Sequence, residues 1–74
     1  MKTYLLTTQS CTKCPMVKSM IEAKGLDVTY VDIEESPDLA IETGVMSVPT
    51  IVVDNDGELT PHVGQQACLQ FINE

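Results

Sequence analysis

Two cysteines with two residues between them, in Cys11-Thr12-Lys13-Cys14-Pro15, are the side chains best placed to do chemistry in this chain. Thiols at that spacing reach each other with little backbone movement, so one can attack a mixed disulfide held on the other and release the partner thiol. The reacting species is the thiolate, which is favoured where a loop runs into a helix, because unpaired N–H groups and a partial positive charge gather there. Lys13 adds a formal cation. Cys11, still in the loop, is therefore the expected attacking thiol, and Cys14, inside the first turn, the sheltered resolving thiol. The same pair also makes half of a zinc site, or binds an iron-sulfur cluster shared between two chains. The second pair that usually completes a zinc site is missing, with His62 and Cys68 the remaining candidate ligands. An interaction domain with idle thiols is a third reading.

What separates these readings is the setting of the pair. Thr3 to Thr7 reads as a strand ending in the polar run Thr8-Gln9-Ser10. From Lys13 to Lys24, Met16, Val17, Met20 and Ile21 recur at helical spacing, with Pro15 in the first turn and Gly25-Leu26 as a left-handed stop. Val28 to Ile33 is rich in β-branched residues and completes a βαβ unit with parallel strands. Ser36-Pro37-Asp38 opens a short helix, with Ser36 as its cap, that ends near Gly44. Thr50 to Asp54 is the most apolar strand, and Asn55-Asp56-Gly57 turns it into Glu58 to Val63. Pro61 cannot donate to a ladder, which assigns that strand to a sheet edge. From Gly64 onward, Ala67, Cys68, Phe71 and Ile72 make one stripe of a closing helix. A cysteine pair at the first strand-to-helix junction of such a unit points to disulfide exchange.

Composition narrows the setting further. Seventy-four residues leave room for one domain with one modest core. The apolar fraction is 43% with only three aromatic residues, so that core rests on Val, Ile, Leu and Met. The cysteines are not structural staples: Cys11 and Cys14 close too short a loop to constrain the unfolded chain, and Cys68 is left odd. That usage fits a reducing compartment, and with no signal-like or membrane-spanning stretch the chain reads as cytoplasmic. Eleven acidic against four basic residues give a net charge of −7, which disfavours nucleic acid and anionic membranes as partners.

A second motif, Met46-Ser47-Val48-Pro49-Thr50, precedes the apolar strand. Together with the Cys-x-x-Cys at the first helix it resembles the glutaredoxin family, including the glutaredoxin-like redoxins that serve ribonucleotide reductase, within the thioredoxin-fold superfamily. The likeness covers the chain in element order. It implies an α/β thioredoxin-like fold of order βαβαββα, with a four-stranded mixed sheet and helices on both faces. It also implies a cis Pro49 lying against the cysteines, a Val48 backbone free to pair with an extended substrate, and disulfide-containing proteins as substrates. Thr12, Lys13, Gly64 and Gln65 would line the same surface, Gly64 because a backbone without a side chain admits a ligand closely. The chain departs from glutathione-using members at Thr8-Gln9-Ser10, at Lys13 and at Gly64-Gln65-Gln66-Ala67, where no acid holds a glutathione amine. The external reductant is then glutathione or, with that motif eroded, a thioredoxin reductase fed by NADPH.

The remaining candidates have structural readings. Cys68 fills space on an apolar stripe, Met16 and Met20 belong to the core, and His62 is a surface residue on an edge strand. The acidic pairs Glu34-Glu35 and Asp54-Asn55-Asp56 lack the spacing of a calcium loop, and no metal is expected. The expected protein is a monomeric dithiol oxidoreductase with no bound cofactor, working at roughly −270 to −200 mV.

Overall fold

Alternation along two central strands sorts the apolar side chains into two cores. The computed structural model describes residues 2–73. Its elements are β1 (Lys2–Thr7), α1 (Cys14–Lys24), β2 (Thr29–Asp32), α2 (Asp38–Thr43), β3 (Thr50–Asn55), β4 (Glu58–Val63) and α3 (Gly64–Ile72). Leu5 and Leu6 on β1 point to opposite faces, as successive strand residues must, and so do Ile51 and Val52 on β3. Leu5, Ile51 and Val53 meet Val17 and Ile21 of α1 and Cys68 and Ile72 of α3. Leu6 and Val52 meet Ala40 of α2 on the other face. Each fully buried aliphatic side chain contributes about 1.5–3 kcal/mol, so the three-layer arrangement is held mainly by the first face.

The four strands form one mixed sheet in the order β2-β1-β3-β4. β1 and β2 are parallel, whereas β3 is antiparallel to both β1 and β4. β4 lies at the edge, where Pro61 leaves no ladder bond unmade, and a two-residue turn at Asp56-Gly57 joins it to β3. Both turn residues have positive φ, and the Gly57 N–H donates to Asp54 Oδ1 at 2.9 Å.

Helix ends depart from expectation in two places. α1 begins at Cys14 with Lys13 as its N-cap, and stops where the Gly25 and Leu26 N–H groups donate back to Glu22 and Ile21. α2 takes Pro37 as its N-cap with no side-chain capping bond. Ser36 sits one residue too early to cap it, and its N–H is spent on the Asp32 carbonyl at 2.8 Å, which closes the turn after β2. On the outer side of α1, Lys18 Nζ stands 5.3 Å from the Tyr30 ring centroid and ties the helix to β2.

Candidate active site

The end of β1 aims the chain at the cysteine pair. Beyond Thr7, the Cys11 N–H donates to the Thr8 carbonyl at 3.3 Å, and α1 starts at Cys14. Cys11 and Cys14 are joined as a disulfide with their Cα atoms 5.5 Å apart. The two sulfurs are not equivalent. Cys11 is half-buried, whereas Cys14 is 1% exposed and sits under the first turn of α1. The Cys14 N–H donates to Cys11 Sγ at 3.1 Å, so one of the helix's unpaired N-terminal donors is turned onto the outer sulfur. No side chain caps that helix end, which leaves its positive pole to the sulfur as well. Thr12 and Lys13 are exposed between the cysteines.

Sheet register brings the second motif to the same end. Leu6 lies opposite Thr50, so the segment that enters β3 begins beside the segment that leaves β1. Thr50 lies opposite Val63, which brings the start of α3 there too. The Val48–Pro49 peptide is cis. The Pro49 carbonyl accepts the Gly64 N–H at 2.9 Å, and the Thr50 hydroxyl donates to the Ser47 carbonyl at 2.7 Å. Gly64 has φ +91, a value side-chain-bearing residues rarely adopt, and it turns the end of β4 into α3. Gln65 Nε2 then reaches Met16 Sδ in the first turn of α1, at 2.8 Å. The cysteine pair, Val48-Pro49 and Gly64-Gln65 are thus linked around one end of the sheet.

Two residues differ from their expected roles here. Met16 is 54% exposed and lies outside the core, because Pro15 and the disulfide place the first turn of α1 at the rim of the sheet. Met20, one turn further on, does pack against the core. His62 is half-buried, its ring 4.8 Å from that of Phe71, since the closing helix folds back over β4. Met46, 72% exposed, and the exposed Val63 add apolar surface to the segments that carry Pro49 and Gly64. Residue type and spacing do not mark Thr50 as a site residue; its one signal in the sequence is a lone hydroxyl opening an otherwise apolar strand. Among the described residues, no three His, Cys, Asp or Glu side chains lie close enough to hold a metal, and no helix is long and apolar enough to cross a membrane. A groove of about 430 Å³ lined by Lys2, Thr3, Tyr4, Asp27 and Thr29 opens at the opposite end of β1, away from the disulfide.

A half-exposed sulfur, a buried partner and a helix terminus behind them, on a sheet of this topology, place the protein among the thiol-disulfide oxidoreductases of the thioredoxin fold. Comparison with known proteins refines that class. A family model described as thioredoxin domain matches residues 1–74, and the chain belongs to that family. It is 32% identical to a thioredoxin of Methanocaldococcus jannaschii, covering 99% of this chain and 93% of that one. It is 34% identical to a prophage-derived thioredoxin-like protein of Bacillus subtilis over 78% of this chain and 74% of the relative. Among solved structures, a mutant thioredoxin from Halobacterium salinarum superposes with a TM-score of 0.77 at 28% identity, covering 96% of this chain and 67% of that one. The glutaredoxin-like NrdH-redoxin of Escherichia coli shares the fold, with a TM-score of 0.73 at 21% identity over 99% of this chain and 92% of that one.

Proposed function

We propose that the protein reduces disulfides in other proteins by dithiol exchange, with Cys11 as nucleophile and Cys14 as resolving thiol. The supporting observation is the asymmetry of the pair: Cys11 is reachable and carries the Cys14 N–H on its sulfur, while Cys14 is enclosed. A hydrogen bond to an anionic sulfur is charge-assisted and favours the thiolate on Cys11. That thiolate attacks one sulfur of the substrate disulfide; a bond forms to Cys11 Sγ, and the other substrate sulfur leaves as a thiolate and takes a proton. Cys14, as thiolate, then attacks Cys11 Sγ, the mixed disulfide breaks, and the second substrate sulfur leaves. Two electrons pass to the substrate, and the protein ends as the disulfide. Thr12, Lys13, Val48, Pro49, Gly64 and Gln65 form the face that the substrate meets, with Met16, Met46 and Val63 as its apolar rim.

The reductant that restores the dithiol is a thioredoxin reductase with NADPH in preference to glutathione. The surface charge of −7 and the absence of acids in Gly64-Gln65-Gln66-Ala67 support that choice, and relatives that carry the name thioredoxin agree with it. A reducing cytoplasm, a monomeric state and ribonucleotide reductase among the substrates complete the reading. Trapping tests the roles. Cys14→Ser should accumulate a mixed disulfide on Cys11, and Cys11→Ser should accumulate none; equal trapping by both removes the assignment. Reduction by glutathione should be much slower than reduction by reductase and NADPH. About one zinc per chain, whose chelation unfolds the protein, would refute the redox reading altogether.

A further inference from the structure

Thr50 is fully buried, at 0% exposure, at the point where the central strand β3 meets the Val48-Pro49 segment. Its backbone is held from both sides, opposite Leu6 on β1 and Val63 on β4. A buried hydroxyl must find a partner, and this one turns back along the chain to the Ser47 carbonyl at 2.7 Å. On the far side of Val48, the Pro49 carbonyl is held by the Gly64 N–H at 2.9 Å. Val48 therefore lies between two pinned carbonyls, while the sheet ladder itself begins only at Thr50. One pin comes from a side chain of a strand paired on both sides and the other from the first residue of α3. We propose that the Thr50 hydroxyl is a positioning group for substrate recognition, holding the Ser47–Pro49 segment so that the Val48 backbone is presented in one fixed geometry to an extended substrate strand.

The proposal rests on Val48 being part of the substrate-contacting face. Main-chain recognition needs a preorganised edge, since a segment that must order on binding loses affinity by the cost of ordering. Thr50 touches neither sulfur, so its loss acts on binding and not on the exchange steps.

Thr50→Val keeps the β-branched shape and removes only the donor, and Thr50→Ser keeps the donor and removes a methyl. With a protein disulfide as substrate, Thr50→Val should raise KM by roughly three- to tenfold, the weight of one lost hydrogen bond, and leave kcat within about twofold. Thr50→Ser should return KM toward the parent value although it opens a small void, which a merely structural role would not do. An unchanged KM in Thr50→Val, or a kcat that falls while KM stays, overturns the proposal. Amide exchange at Gly64, whose N–H is held by the Pro49 carbonyl, gives a readout that needs no activity: it should speed up in Thr50→Val and recover in Thr50→Ser. Unchanged exchange removes the clamp. If the parent protein reduces no disulfide but exchange still responds, the dithiol function and the substrate role of Thr50 fall together, and the hydroxyl is left as a purely structural bond.

Discussion

Cys68 offers the sharpest test of the core, because its thiol is enclosed completely and sits between α3 and the central strand. It is 0% exposed, packs with Leu5, Ile51 and Ile72, and its Sγ approaches the His62 carbonyl at 3.5 Å. Burial pushes the thiol's pKa up, opposed only in part by a backbone hydrogen bond at Ile51. In the unfolded chain a cysteine ionises near about 8.5. Between that pH and the higher pKa of the folded state, the native protein binds more protons than the unfolded one. Stability is therefore fully present below about 8.5 and falls as pH rises above it, by up to about 1.4 kcal/mol per pH unit. For a chain of 74 residues, total stability is about 4–11 kcal/mol at 0.05–0.15 kcal/mol per residue, so the loss is large enough to measure. With an m-value of about 1 kcal/mol/M, the urea midpoint of the oxidised protein should drop by up to about 1.4 M per pH unit above about 8.5. Oxidised protein is used so that Cys11 and Cys14 do not titrate. Cys68→Ala should be less stable at neutral pH, yet show a shallower fall with alkali. The Tyr30 hydroxyl, whose pKa is raised by partial burial and then by Glu22, titrates in both variants and cancels from the comparison. Parallel slopes for parent and Cys68→Ala would refute the claim that the enclosed thiol is held neutral.

Other perturbations separate core from site. Ile51→Ala removes a wholly buried side chain from the larger core and should cost about 2–5 kcal/mol, read from urea or thermal unfolding; a loss under about 1 kcal/mol would show that face to be loosely packed. Gly64→Ala meets no atom within 4 Å, so its cost is that of a side-chain-bearing residue at φ +91, about 1–2 kcal/mol; a neutral result would mean that the entry to α3 relaxes freely. Lys18→Met, which removes the cation over Tyr30, should lower stability by less than about 1 kcal/mol without changing disulfide reduction.

Strand and helix identities were legible because short periodic segments alternate with turn residues of fixed chemistry. Asp56-Gly57 and Gly25-Leu26 specify their local backbones almost alone. What the residues did not reveal depended on packing. The spacing of Met16 suits a core position, yet the rim of the sheet leaves it exposed, since periodicity reports a helix face and not how far the neighbouring layer extends. Ser36 has the chemistry of a cap but lies one residue before the capping position, which Pro37 occupies, because the turn after β2 that ends in the Ser36 N–H to Asp32 carbonyl bond delays the start of the helix. Thr50 carries no mark as a site residue because the partner of its hydroxyl is a backbone carbonyl three residues back, a bond set by the path of the chain through Ser47–Pro49 and not by residue type.

The site itself follows from strand direction more than from any local motif. Since β1 and β2 are parallel, the crossover places the start of α1 just beyond the end of β1, and the cysteines with it. Because β3 runs against β1 with Thr50 opposite Leu6, the chain must enter β3 at the same end, which sets Pro49 there. β4 runs back with Val63 opposite Thr50, so Gly64 can reach the Pro49 carbonyl. A one-residue slip in either antiparallel pair would turn the side chains to the wrong face, moving Ile51 and Val52 out of their respective cores. The two-sided core that fixes this register therefore also fixes the approach of the three segments. Helix terminus, proline segment and glycine turn keep their relative positions only while Leu5, Leu6, Ile51 and Val52 stay sorted between the two faces.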